Sequence, residues 1–180
     1  MNPHDLSKLI ENIYRNTPDA IIGGSIMLHT HKLLNREPND IDVLIPDYMS
    51  ISTFADPLGL TLDVTTESLS DTDIDVAGNK VQRIACKYKD IKICVFKVPT
   101  DQLVWTQEYV IVQKSGINYY YWGRLQSPMF CIEAKRQYLR KARHHDAPSF
   151  KKHLNDLIEI GNNMGIGSSL VPKDIFSHIL

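Results

Sequence analysis

The sequence predicts an α/β (α+β) protein: a small mixed β-sheet flanked by helices, with a helical C-terminal part. Three observations predict it. Apolar residues recur at helical spacing near the start, short apolar or alternating runs bounded by turn residues fill the middle, and helix-start signals cluster after Ser127. The expected organisation is an α/β core over residues 1–125 and a helical part over 126–180 packed on it.

Taken in order, Leu6, Leu9, Ile10, Ile13 and Tyr14 form one face of a first amphipathic helix that stops near Asn16 to Pro18. Ala20 to Ile22 reads as a short apolar strand. Gly23 and Gly24 permit a tight turn with positive φ, and Ser25 opens a second helix with Ile26, Met27, Leu28, Leu33 and Leu34 as its buried positions. Asn35 to Asn39 is a loop, and Asp40 to Ile45 is a strand ended by Pro46. Leu60, Leu62 and Val64 alternate with Thr61, Asp63 and Thr65 as in a half-buried strand. Val81 to Tyr88 and Ile91 to Val98 flank Lys89-Asp90 as a hairpin, and Asn118 to Trp122 is β-prone. Ser127-Pro128 starts a helix running to about Arg143. Ser149 caps another to about Ile160, and a last short helix begins near Pro172. Asp-Ile-Asp-Val occurs at both Asp40 and Asp73, but without matching flanks, so it is not a repeat.

Composition bounds the function. With 180 residues and 43% hydrophobic content the chain can bury one sizeable core. Twenty Lys plus Arg against 21 Asp plus Glu, net −1, give no whole-chain attraction for nucleic acid or an anionic membrane, so a polyanion site has to be a local patch. No run approaches a membrane span and the polar start lacks a signal-peptide core, so a cytoplasmic protein is expected. The cysteines, Cys86, Cys94 and Cys131, are odd in number and lack metal-type spacing, which fits reduced, buried thiols.

The chemistry concentrates between Ile21 and Pro46. In an extended strand residues i and i+2 share a face, so the Asp40 and Asp42 carboxylates can reach one magnesium ion while Ile41 and Val43 enter the core. Fifteen residues earlier, the Gly23-Gly24-Ser25 turn offers backbone N–H groups, a close approach at Gly24 and the Ser25 hydroxyl to a phosphate. Arg36 can reach the same phosphates. Either motif alone is common; a glycine turn opening a helix and a carboxylate pair on the next apolar strand are stronger together.

This segment resembles the signature of the DNA polymerase β-like nucleotidyltransferase superfamily, a Gly-Gly/Ser turn, a helix, then Asp-x-Asp on a strand. Ser127-Pro128 with Ala134-Lys135 on one helix, and Lys152-His153-Leu154-Asn155-Asp156-Leu157 on the next, are similar to the back half of the AbiEii type of toxin nucleotidyltransferase. The resemblance implies transfer of a nucleoside monophosphate from a nucleoside triphosphate to an acceptor hydroxyl of RNA, protein or a small molecule. Mg2+ or Mn2+ would be held by Asp40 and Asp42. Lys135 would contact the triphosphate, and Asp156 would orient Lys135 or the acceptor. A protein partner, as in a toxin–antitoxin pair, is a further implication. The structural alternative for the back residues is an exposed i, i+4 pair of Lys152 and Asp156, with Lys135 lying along an amphipathic helix.

The chain departs from that family where a third carboxylate is expected on the neighbouring strand. The position falls on Cys94, and thiolate is a soft ligand ill matched to magnesium. Three explanations stand open: Asp156, Asp63 or Asp90 substitutes in space, the enzyme works slowly without the third acid, or the fold only binds. The basic run around Arg140 to Lys152 offers a local patch for a phosphate-bearing acceptor, against the alternative of a solvated helix end. Tyr119 to Trp122 offer base stacking, against packing on the sheet.

Overall fold

The computed structural model describes residues 2–38, 40–63 and 69–175. Five α-helices (α1 Pro3–Asn16, α2 Gly24–Thr30, α3 Ile51–Ala55, α4 Pro128–Lys141, α5 Pro148–Asn163) surround strands β1 Ile21–Gly23, β2 Ile41–Pro46, β3 Thr61–Leu62, β4 Leu69–Ile74, β5 Lys80–Tyr88, β6 Ile91–Val98, β7 Trp105–Lys114 and β8 Ile117–Gln126. The strands form one mixed sheet in the order β3-β5-β6-β2-β1-β8-β7, with β4 also pairing β5. The α+β class expected from sequence is the class observed.

Alternation along the strands divides the sheet into two unlike faces. Ile22, Val43, Ile93 and Val95 point into the main core, where Leu6, Leu9, Ile10 and Ile13 of α1 and Met27 of α2 meet them. The same core takes Ile132, Leu139, Phe150, Leu157 and Ile160 from α4 and α5. The other face carries a smaller apolar cluster of Ile21, Leu44, Val81 and Val98. Asp42 and Cys94 lie two residues from Leu44 and Phe96 and so share this second face. Beside them the sheet is knitted β1 antiparallel to β2, β2 parallel to β6, and β6 antiparallel to β5.

Local chemistry accounts for the ends of the elements and for the departures from the sequence reading. Asn2 caps α1, its side chain accepting from the backbone N–H groups of His4 and Asp5. The helix α2 ends at Thr30, short of Leu33 and Leu34, because Lys32 turns to φ 60°. Leu34 is nonetheless buried: the turn folds its backbone N–H back onto Leu28 O. Ser127 sits at the start of α4 in extended conformation but makes no side-chain cap bond. Ser149 lies inside α5, which begins at Pro148, and its hydroxyl pairs with Tyr138 Oη at 2.6 Å. The strand expected at Leu60 to Thr65 is confined to β3 among the described residues; Val64 and Thr65 lie outside them. Of the last helix, residues 173–175 are described and helical.

Strand β7 was not anticipated. It pairs along its length with β8 through the turn at Ser115 (φ 52°) and Gly116 (φ 77°), two consecutive left-handed residues that match the twist of a two-residue hairpin loop. Tyr109 and Trp122 face each other across this hairpin with ring centroids 4.8 Å apart. Tyr121 instead donates to Pro3 O at 2.9 Å, tying the hairpin to the start of α1. Among the described residues no helix is long and apolar enough to cross a membrane.

Candidate functional site

Register builds the site. Gly23 of β1 stands opposite Asp42 of β2, and Asp42 stands opposite Cys94 of β6. Asp40 precedes β2 rather than lying on it, yet a carboxylate oxygen from each of Asp40 and Asp42 and the Cys94 sulfur all lie within 4.8 Å of one another. Gly24 packs directly on this cluster. Its φ of +64° is a left-handed conformation, and a Cβ there would sit 2.7 Å from Asp42 Cγ and overlap Oδ2. Glycine is therefore required twice at this position, by backbone and by neighbour.

Over the cluster lies a cavity of about 200 Å3. Its lining holds cations, among them Arg36 from the loop before β2, Lys135 from α4 and Lys152 from α5. The sheet contributes apolar lining, Leu44, Ile74, Val81, Phe96 and Val98, together with Asp73 and Arg83. Gly24 and Ser25 border it as well, so the front and back motifs of the sequence meet in one cavity.

Asp156 organises two of these cations, Arg36 and Lys135. Its carboxylate is buried to 2% exposure and accepts two bonds from Arg36, at 2.7 and 3.3 Å, and one from Lys135 Nζ at 3.1 Å. His153 Nδ1 lies 3.3 Å from the same ammonium. Burial opposes ionisation of Asp156, but the charge of Lys135 and the Arg36 bonds outweigh it and hold the carboxyl below its usual range. The exposed i, i+4 pairing with Lys152 is thus replaced by a buried bidentate pair with a residue 120 positions away.

Asp42 is perturbed in the opposite direction. Burial first, then the neighbouring Asp40 charge, push its carboxyl up to about 7. Between pH 3.8 and about 7 the folded chain therefore holds a proton that the unfolded chain has lost, so this group's contribution to stability falls as pH rises through that window. In metal-free buffer Asp42→Asn is expected to melt several degrees above the wild type at pH 8, with the gap closing toward pH 5, at about 2–4 °C per kcal/mol for a chain of this size. Thermal melts at the two pH values check it; a gap that does not change with pH contradicts it.

Cys94 occupies the place opposite Asp42 where the sequence resemblance called for an acid. It is 5% exposed, its Sγ donates toward Asp40 Oδ2 at 3.9 Å, and Arg83 Nη2 donates to it at 3.0 Å. Burial drives the thiol up to about 12, and the Asp42 charge adds to that. Of the spatial substitutes considered, Asp63 and Asp90 are exposed and do not line the cavity, because one follows β3 at the sheet edge and the other forms the β5–β6 turn. Asp156 does line it, committed to Arg36 and Lys135. The acid that sequence reasoning missed is Asp73, which borders the cavity and lies 3.9 Å from Arg83 Nε. Its signal was the second Asp-Ile-Asp-Val. The other acid of that tetrapeptide, Asp75, shapes the turn into β5, where its Oδ1 accepts from the backbone N–H groups of Ala77 and Asn79.

No protein-family model, curated protein or solved structure matches this chain. Two members of the basic run lie off the cavity: Arg140 pairs with Glu133 at 3.6 Å, and Lys141 donates to Gly78 O at 2.8 Å. Tyr119 to Trp122 do not line the cavity either; Tyr120 and Trp122 are exposed on the hairpin. The three cysteines are free and buried.

Proposed function

We propose that this chain is a cytosolic, metal-dependent nucleotidyltransferase of the DNA polymerase β-like kind, moving a nucleoside monophosphate from a triphosphate to an acceptor hydroxyl. One observation carries the reading: two carboxylates converge on a glycine turn in a cavity that Arg36, Lys135 and Lys152 also line. Two adjacent carboxylates are a poor place for an anion unless a cation lies between, and the donor set fits a divalent ion that takes its remaining ligands from phosphate oxygens. Mg2+ or Mn2+ bound to Asp40 and Asp42 would neutralise the triphosphate and polarise the α-phosphorus.

The chain's own groups do the rest. Arg36 and Lys135, fixed by Asp156, offset charge on the outer phosphates, and Gly24 keeps the floor low enough for the phosphate chain to lie against Asp42. The acceptor oxygen attacks the α-phosphorus, the bond to pyrophosphate breaks, and the hydroxyl proton leaves to solvent or to a nearby carboxylate. The acceptor is a hydroxyl of RNA, of a protein partner or of a small molecule. Incubation with labelled nucleoside triphosphates and Mg2+ or Mn2+ is expected to transfer label, and Asp42→Ala to abolish it. Transfer undiminished in an Asp40/Asp42 double variant removes the assignment.

A second reading is favoured by Cys94 opposite Asp42, since a thiol in place of the third acid suits a nucleotide-binding module that does no chemistry. Isothermal titration separates the two: metal-dependent triphosphate binding without turnover supports the module.

A further inference from the structure

We infer that the cation site at Asp40 and Asp42 selects a thiophilic divalent ion of the zinc class over magnesium, with Cys94 as its third protein ligand. The inference rests on reading this cavity as a cation site, and it deepens that reading by naming the ion. Magnesium asks for near-octahedral oxygen coordination, and the cluster offers it two carboxylates and a sulfur. Zinc is served by that set: three protein ligands and one open position are the pattern of a catalytic zinc, and Asp40 and Asp42, which line the cavity, would hold the ion where a phosphate oxygen could supply the fourth ligand.

Geometry agrees with the chemistry. Zinc bonds of about 2.0–2.3 Å at tetrahedral angles separate an oxygen and a sulfur ligand by roughly 3.6 Å. Cys94 Sγ already lies 3.9 Å from Asp40 Oδ2, so that pair reaches ligand spacing with a shift of tenths of an ångström, and all three donor atoms lie within 4.8 Å of one another. On binding, the S–H bond breaks, its proton leaves to solvent and the sulfur–metal bond forms. The Arg83 N–H on the sulfur, 3.0 Å away, would then be the outer-shell donor that a buried thiolate ligand calls for, and Asp73, 3.9 Å from Arg83 Nε, balances the guanidinium charge. Softness and the rise in affinity along the first-row divalent series both favour cobalt and zinc over magnesium at such a site.

Titration of the full chain with Co2+ tests this without reference to turnover. The wild type is expected to develop a near-ultraviolet thiolate-to-cobalt charge-transfer band, displaced by Zn2+ at concentrations at least tenfold below those at which Mg2+ competes. Cys94→Ser loses the band while Cys86→Ser keeps it, and Cys94→Asp, which supplies a third oxygen, reverses the preference toward Mg2+. No band in the wild type, a band that survives Cys94→Ser, or Mg2+ competing as well as Zn2+ overturns the inference. The band without label transfer counts against the proposed function alone; label transfer with Mg2+ and no band counts against this inference alone.

Discussion

Asp156→Ala is expected to destabilise the fold by about 3–5 kcal/mol, the cost of removing one partner from a buried ionic cluster. The carboxylate is 2% exposed and the Lys135 ammonium 12%, so the variant strands a cation that water reaches poorly. Arg36, with 43% of its side chain exposed, contributes less, because solvent screens it once its partner has gone. Since the Asp156 carboxyl is held below its ordinary 3.8, its stabilisation is fully present above that pH and is lost as pH falls through the lower folded-state value. Urea unfolding at pH 7 and pH 3 therefore has two expected outcomes: a large deficit for the variant at neutral pH, and a smaller one in acid. An equal deficit at both would mean that packing, not charge, is what Asp156 supplies.

Gly24→Ala is expected to cost about 2–4 kcal/mol, combining the penalty of a left-handed backbone with that of overpacking, and to remove divalent-cation binding. The added methyl overlaps Asp42 Oδ2, so the carboxylate must swing off the cluster or the turn must move. Gly59→Ala is the matched control. Gly59 has nearly the same φ, +66°, but nothing lies within 4 Å of where its Cβ would be. It should lose about 1–2 kcal/mol for the backbone alone and leave cation binding intact. Equal losses in the two variants would show that the contact with Asp42 is not what makes glycine necessary.

What could be read from sequence follows the range of the interactions that decide each feature. Strand β2 was legible because its core face, Ile41 and Val43, alternates with Asp42, and β5–β6 because two β-rich runs flank a short turn. Strand β7 was missed because Thr106, Gln107 and Glu108 near its start are polar and break the apolar alternation, although Ser115-Gly116 held the hairpin signal. The overlong reading of α2 came from Leu33 and Leu34, which do enter the core, but through a left-handed turn at Lys32 rather than a continued helix. In the site, Asp40, Asp42 and Gly24 were legible because a strand and a turn fix them locally. Their companions are tertiary: Arg83 meets Cys94, and Asp73 meets Arg83, only once β4, β5 and β6 have paired, and no spacing in the chain encodes that. Asp156 was found by motif, yet its bidentate grip on Arg36 depends on packing α5 beside the loop before β2.

The central claim is that Asp40 and Asp42 share one divalent cation over Gly24. A Mn2+ titration at pH 8, followed by loss of the free-ion paramagnetic resonance signal, tests it most directly. The wild type should show a saturable site that weakens at least about tenfold in Asp40→Asn and again in Asp42→Asn, as removal of a direct ligand requires. Superimposable titration curves for the wild type and both variants would contradict it.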